Sequence, residues 1–160
     1  MNRAERPDPV ARRTFVQDRR EAMLELLARL TRAESPSDVP ESQAEVRSII
    51  ATELEQRGFA VRRVPGRSSG GMLHARPAAA GRPAQLILGH YDTVWPVGTL
   101  AERPFTVDGN VIRGPGVFDM KAGLAQIGPV IRMIVQKSTA ISVAARDSAS
   151  AETIWKPSPT

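Results

Sequence analysis

The chain has 160 residues, two histidines and no cysteine, so few side chains are available for metal or nucleophilic chemistry. His90 directly follows the apolar run Gln85 to Leu88, and Asp92 stands two residues further on. Asp119 closes the stretch Gly114-Pro115-Gly116-Val117-Phe118-Asp119. An imidazole that binds a metal through one nitrogen needs its other nitrogen held, usually by a carboxylate, to fix the tautomer. Asp92 is placed to do this, because residues two apart in an extended segment project to the same side. A carboxylate at Asp119 could coordinate one metal ion or bridge two. Paired ions about 3.5–4 Å apart hold and activate a shared water for hydrolysis. Without cysteine the donors are histidine and carboxylate, which suits catalytic zinc with open positions. The same absence excludes a disulfide framework, a thiolate zinc site and a cysteine nucleophile.

Each residue taken singly also has a plainer reading. A histidine after a strand is more often an ordinary loop residue, and an aspartate in a Gly/Pro turn usually just forms the turn. Gly114-Pro115-Gly116 hints at a dinucleotide loop. Asp119, however, stands where that fingerprint needs glycine, and Pro115 is out of place in it. His74, inside a strand-like run, reads as structural.

The surrounding elements must bring these residues together. From about Asp18 to Arg32 the apolar positions Met23, Leu26, Leu27 and Leu30 recur at helical spacing. After a Pro/Ser/Asp loop from Glu34 to Pro40, Ser42 and Glu45 have the form of a capping box. Val46, Ile49, Ile50 and Leu54 then mark one helix face, and Gly58 sits where a left-handed C-cap would end it. Shorter, strand-like runs follow. Phe59 to Val64 closes on Pro65-Gly66, Gly71 to Arg76 can pair with it, and Gln85 to Leu88 suits a strand buried on both faces. Thr106-Val107 and Val111-Ile112 flank Asp108-Gly109-Asn110, a hairpin signal. A Gly/Pro loop from Gly114 leads into a helix starting near Met120. This order predicts an α/β layer domain. His90 would then lie past the carboxyl end of a strand, where functional groups of open α/β sheets gather.

Residues 1–17, with Pro7 and Pro9, read as a loose arm, and 18–135 as the folded part. The segment 136–160 reads as a divergent, disordered tail. Of the 19 arginines only Arg132 and Arg146 lie in the last 34 residues, and periodicity fades after Val135. That shift is what a truncated or frame-shifted product would show.

Taken together, Gly89-His90-Tyr91-Asp92-Thr93-Val94, Gly114-Pro115-Gly116 and Asp119-Met120-Lys121-Ala122-Gly123 resemble a known superfamily. It comprises zinc-dependent carboxypeptidases and amidohydrolases: glutamate carboxypeptidase, acetylornithine deacetylase, succinyl-diaminopimelate desuccinylase and the aminoacylases. Trp95 to Gly98, Pro104-Phe105, the Asp108-Gly109 hairpin and the 29-residue interval from His90 to Asp119 are most similar to the glutamate carboxypeptidase branch. The resemblance runs from about Glu21 to Gln126 and covers only the N-terminal part of such an enzyme. It implies an α/β fold, here a partial three-layer zinc-peptidase catalytic domain: the N-terminal portion of the sheet with flanking helices. It implies two zinc ions per complete site, with His90 as ligand of one, Asp119 bridging both, and Asp92 as the catalytic residue that orients His90. A cis peptide at Asp119-Met120 is also implied.

By the same resemblance the reaction is hydrolysis of an amide bond at a C-terminal acidic residue of a small peptide or N-acyl amino acid. The family also uses a later Glu-Glu pair as base and ligand, a further acidic ligand, a distant histidine and an inserted dimerisation domain. None of these follows Gly123; the tail offers only Asp147 and Glu152. The expectation is therefore a truncated, inactive form of marginal stability, with the Gln85 to Leu88 strand left as an unpaired edge. The rival reading is a non-catalytic interaction protein that pairs with a full-length homologue.

Composition narrows the partners. The net charge of +5 invites a nucleic-acid reading, but Arg12-Arg13, Arg19-Arg20 and Arg62-Arg63 are isolated pairs between carboxylates. No interleaved aromatics offer a stacking platform, so nucleic acid is not expected. No apolar run approaches the roughly 18 residues needed to span a bilayer, and Met1 to Arg20 has no apolar core for a secretory signal. The expected location is the cytoplasm, with no membrane partner.

Overall fold

Helices form where the apolar residues recur at helical spacing. The computed structural model describes residues 8–77, 85–127 and 139–144. Helix α1 (Pro9–Gln17) lies within the segment read as an arm; it opens on a proline at the first turn and buries none of its residues. Helix α2 (Arg20–Arg32) turns Leu26, Leu27 and Leu30 inward, and α3 (Ala44–Glu55) turns Val46, Ile50 and Leu54 to meet them. Glu53 of α3 pairs with Arg29 of α2 at 2.8 Å and with Arg57 at 2.6 Å.

The capping box does not form. The chain enters α3 through a 3₁₀ turn, Pro40–Gln43, which places Gln43 rather than Ser42 at the cap. Ser42 Oγ instead donates to the Val39 carbonyl at 2.7 Å. The other end of α3 is as expected, with Gly58 at φ 81°.

Four strands make the main sheet: β1 (Phe59–Val64), β2 (Met72–Pro77), β3 (Gln85–His90) and β6 (Thr139–Ala144), in the order β1-β2-β6-β3. The β1–β2 and β2–β6 pairs are antiparallel, and β6–β3 is parallel. The hairpin of β4 (Thr106–Asp108) and β5 (Val111–Arg113) forms where it was expected. Leu73 and Ala75 of β2 and Val143 of β6 face a single apolar cluster shared with α2, α3 and Leu124 and Ala125 of the helical residues 122–127. Each fully buried Leu here contributes about 1.5–3 kcal/mol.

Two further expectations need correction. Residues 139–144, read as part of a disordered tail, form β6 at the centre of the sheet. Thr139-Ala140-Ile141-Ser142-Val143-Ala144 is rich in β-branched residues, but its Ser/Thr/Ala content resembles that of a tail. The rest of 136–160 lies outside the described residues. The second correction concerns β3, which is not buried on both faces. Among the described residues it pairs on one side only, and Leu86 and Leu88 are 53% and 60% exposed. The fold is α/β and partial: a sheet with helices against one face. No helix among the described residues is long and apolar enough to cross a membrane.

Candidate active site

The chain leaves the sheet immediately after His90, whose register partner is Ala144 of β6. The following residues are fastened to the stretch after α2. Thr93 N–H donates to the Ser35 carbonyl at 2.8 Å, and Ser37 N–H donates to the Thr93 carbonyl at 2.9 Å. Ser35 Oγ donates to the Tyr91 carbonyl at 2.8 Å. Buried Tyr91 donates its own hydroxyl to the Gly71 carbonyl at 2.6 Å. His90 and Asp92 thus stand on a backbone held from both sides.

The imidazole lies between two aspartates. Nδ1 is 3.0 Å from the Asp92 backbone carbonyl and 3.2 Å from Asp92 Oδ1. The carbonyl has the hydrogen-bond alignment, while Oδ1 is buried and makes no hydrogen bond. Asp92 Oδ2 accepts from Ser37 Oγ at 2.6 Å, and the residue is only 1% exposed. Nε2 lies 2.9 Å from Asp119 Oδ1. With its proton on Nδ1, given to the carbonyl, a neutral ring presents the Nε2 lone pair to a carboxylate. Two acceptors at that distance repel unless a proton or a cation lies between them.

Asp119 owes its position to its glycines and to a kink. Gly116 sits at φ 71°, and a Cβ there would collide with Thr93 Cγ2. In the turn Val117–Lys121 the backbone departs from helical values at Asp119 and Met120, and the Asp119-Met120 peptide is cis. The helix then runs on through 122–127, slightly later than the expected start near Met120. The Asp119 side chain is 61% exposed, open to the cavity and to solvent.

Sequence reasoning missed what fastens this turn. Lys121, 1% exposed, donates its Nζ to the Ala33 carbonyl at 2.9 Å at the end of α2. Burial pushes its ammonium down to about 8, and nearby Glu34 opposes that shift. The Glu34 carboxylate in turn accepts from the backbone N–H of Gly98 at 2.7 Å and of Leu100 at 3.0 Å. Residues 33–37, legible only as a Pro/Ser/Asp linker, therefore touch the His90 loop, the Asp119 turn and the loop after Trp95. The one available signal was the run of small hydrogen-bonding residues, Ser35 and Ser37, near a proline.

Together these segments enclose a cavity of about 230 Å³ lined by Ser37, His90, Asp92, Trp95, Phe118 and Asp119. His90 Nε2 and Asp119 Oδ1, 2.9 Å apart, are somewhat closer than the roughly 3.3 Å between two tetrahedral zinc donors with bonds near 2.0–2.1 Å, so a small separation of the pair would admit an ion. They fit a metal as two of its donors. Among the described residues no group of three or more His, Cys, Asp or Glu converges, whereas catalytic zinc usually takes three protein ligands. His74 lies on β2, opposite Arg62 of β1, away from these residues.

Residues 86–145 match the model of peptidase family M20/M25/M40. The chain is 30% identical over 119 residues to carboxypeptidase G2 of Pseudomonas sp. (strain RS-16), covering 73% of this chain and 29% of that protein. Its fold is similar to that of human carnosine dipeptidase 1, with a TM-score of 0.65 and 16% identity over 93% of this chain and 37% of that one. It is also similar to the dipeptidase Dug1p of Saccharomyces cerevisiae, with a TM-score of 0.60 and 14% identity over 82% of this chain and 33% of that one. The chain thus spans about a third of the length of the proteins it is similar to.

Proposed function

We propose, from the match of residues 86–145 to the model of peptidase family M20/M25/M40, that the chain furnishes one side of a two-zinc centre that hydrolyses amide bonds. His90 is a ligand of one ion, Asp119 is the carboxylate that bridges both, and Asp92 is the positioning residue behind His90. The substrate is a small peptide or N-acyl amino acid cut next to a C-terminal acidic residue. One observation carries the reading: His90 Nε2 faces Asp119 Oδ1 at 2.9 Å while its Nδ1 is held at Asp92.

Zinc, when bound, supplies Lewis acidity and an activated water at neutral pH. The chain's own residues supply the setting. The Asp92 carbonyl holds the ring proton on Nδ1, which leaves the Nε2 lone pair for a metal ion. The buried Asp92 carboxylate, fixed by Ser37, adds negative potential behind the ring. Trp95 and Phe118 give the cavity apolar walls that favour a substrate's carbon skeleton over water. A general base contributes about 10²–10⁴-fold, and the 160 residues contain no Glu-Glu pair. We infer that these residues taken alone bind zinc weakly and do not turn over.

Equilibrium zinc titration, run beside an assay with N-acylglutamate, tests this. The expected result is uptake that falls at least about tenfold in His90→Ala and in Asp119→Asn, without hydrolysis above background. Zinc affinity unchanged in both variants would overturn the proposed ligands. Zinc-dependent hydrolysis by the chain alone would overturn the inferred inactivity.

A second reading, pairing with a full-length homologue, is favoured by the edge of β3 that is unpaired among the described residues and by its exposed Leu86 and Leu88. Co-elution of this chain with such a homologue would support it, and separate elution would oppose it.

A further inference from the structure

Residues 94–97 carry the Trp95 wall of the cavity, and burial does not fix them: Val94 and Val97 are exposed, and Trp95 is half-buried. The span is held at its two ends instead. At one end Thr93 is laced to Ser35 and Ser37. At the other, Glu34 Oε2 accepts from the Gly98 N–H at 2.7 Å and Oε1 from the Leu100 N–H at 3.0 Å, across 64 and 66 residues of sequence. Among the described residues these are the two hydrogen bonds that tie 94–100 to a distant part of the chain. The turn Thr99–Glu102 starts after Gly98, which sits at φ 92° and has no side chain to cap the free amides. Four residues do not sustain a helical turn by themselves. Glu34 therefore supplies from afar the acceptor that the local sequence lacks, through charge-assisted bonds about twice as strong as neutral ones. Past that turn, the Arg103 guanidinium carbon comes back to 5.3 Å from the centre of the Trp95 ring.

A plainer role, as counter-charge to Lys121, does not account for this geometry. Glu34 acts on the Lys121 ammonium from nearby, but Nζ is committed to the Ala33 carbonyl and both Glu34 oxygens to backbone N–H groups. We propose that Glu34 is a positioning residue of the centre: by clamping Gly98 and Leu100 its carboxylate fixes Trp95 at the cavity, and so sets the room above His90 and Asp119 without meeting metal or substrate. The proposal rests on the reading of His90 and Asp119 as the reacting centre. It depends on a carboxylate as such, because only that group offers two acceptors to two N–H donors. Glutamine replaces one acceptor with a donor that opposes an N–H.

The test uses the full chain with Trp155→Phe, which leaves Trp95 as the one indole. Acrylamide quenching and the emission maximum of Trp95 are read well below the melting temperature, where a merely structural loss would not move them. Glu34→Ala should shift the emission to the red and raise the quenching constant at least about twofold, as a released loop would. Glu34→Gln should fall between this variant and the unaltered chain, and it decides the matter by the same readings if Glu34→Ala does not fold. Trp95 signals unmoved by either substitution, or moved as far by glutamine as by alanine, overturn the positioning role. Zinc titration of the same samples separates this result from the reading beneath it, with affinity expected to stay within about threefold because Glu34 holds no ligand. Zinc uptake with an unmoved Trp95 removes the role of Glu34 and leaves the centre. A moved Trp95 in a chain that takes up no zinc removes the centre, and with it the part of Glu34 in it.

Discussion

His90 Nε2 and Asp119 Oδ1 lie 2.9 Å apart although 29 residues separate them in sequence. The contact exists because one short stretch, residues 33–37, holds both partners. Ser35 and Ser37 hydrogen-bond the loop that follows His90, and the Ala33 carbonyl receives the Lys121 ammonium from the turn that carries Asp119. The site depends on the end of α2 as much as on its own residues.

Asp92 acts through the ring it holds. Asp92→Asn keeps the backbone carbonyl that accepts from Nδ1 but removes the charge behind it. Zinc affinity should fall about tenfold, at the lower end of what such outer partners contribute. Competition with a chromogenic chelator measures this; an unchanged affinity would show that the carbonyl alone orients the ring.

Gly116→Ala should disturb the Asp119 turn. The left-handed backbone costs a non-glycine residue about 1–2 kcal/mol, and the new Cβ meets Thr93 Cγ2, for which overpacking adds about 1–3 kcal/mol. Urea unfolding should show a loss of about 2–5 kcal/mol on those terms. A loss below about 0.5 kcal/mol, the range of ordinary surface substitutions, would mean that the turn relaxes freely.

Lys121 fastens that turn to α2. Lys121→Ala leaves a cavity and removes the donor to the Ala33 carbonyl, so stability should fall by about 2–4 kcal/mol. Lys121→Met fills most of the space and also removes a buried charge, so it should lose less. Equal losses in the two variants, measured by urea unfolding, would contradict this division.

His74 makes stability depend on pH. Burial first, and then the charges of Arg62 and Arg76, hold its pKa below 6.5 in the folded chain. The unfolded chain therefore binds more protons just below pH 6.5, and stability rises with pH in that window. Acidification from pH 7.5 should lower the melting temperature as pH falls through 6.5, with the effect levelling off below the folded value. His74→Gln should flatten that part of the profile. An unchanged slope in the variant would assign the effect to other groups.

Much of this arrangement was legible in the chain itself. The periodicity of Leu26, Leu27 and Leu30, the Asp108-Gly109-Asn110 turn and the His90-Tyr91-Asp92 spacing are local signals, and each appears where its local physics places it. What escaped reading was tertiary. Lys121 and Ala33 lie 88 residues apart, and nothing in either neighbourhood announces their contact. The strand over Thr139–Ala144 was hidden because its small and hydroxylated residues are also those of a tail; only its pairing between β2 and β3 distinguishes it. Exposure of Leu86 and Leu88 was equally illegible, since an apolar run specifies what could be buried and not what covers it.

The central claim is that His90 is the histidine that meets the metal. X-ray absorption at the zinc edge of the loaded chain tests it most directly, because only two histidines are present. With zinc supplied at no more than one equivalent, the account predicts one imidazole per zinc, retained in His74→Ala and lost in His90→Ala. An imidazole signal that survives His90→Ala, or that is absent from the unaltered chain, would contradict it.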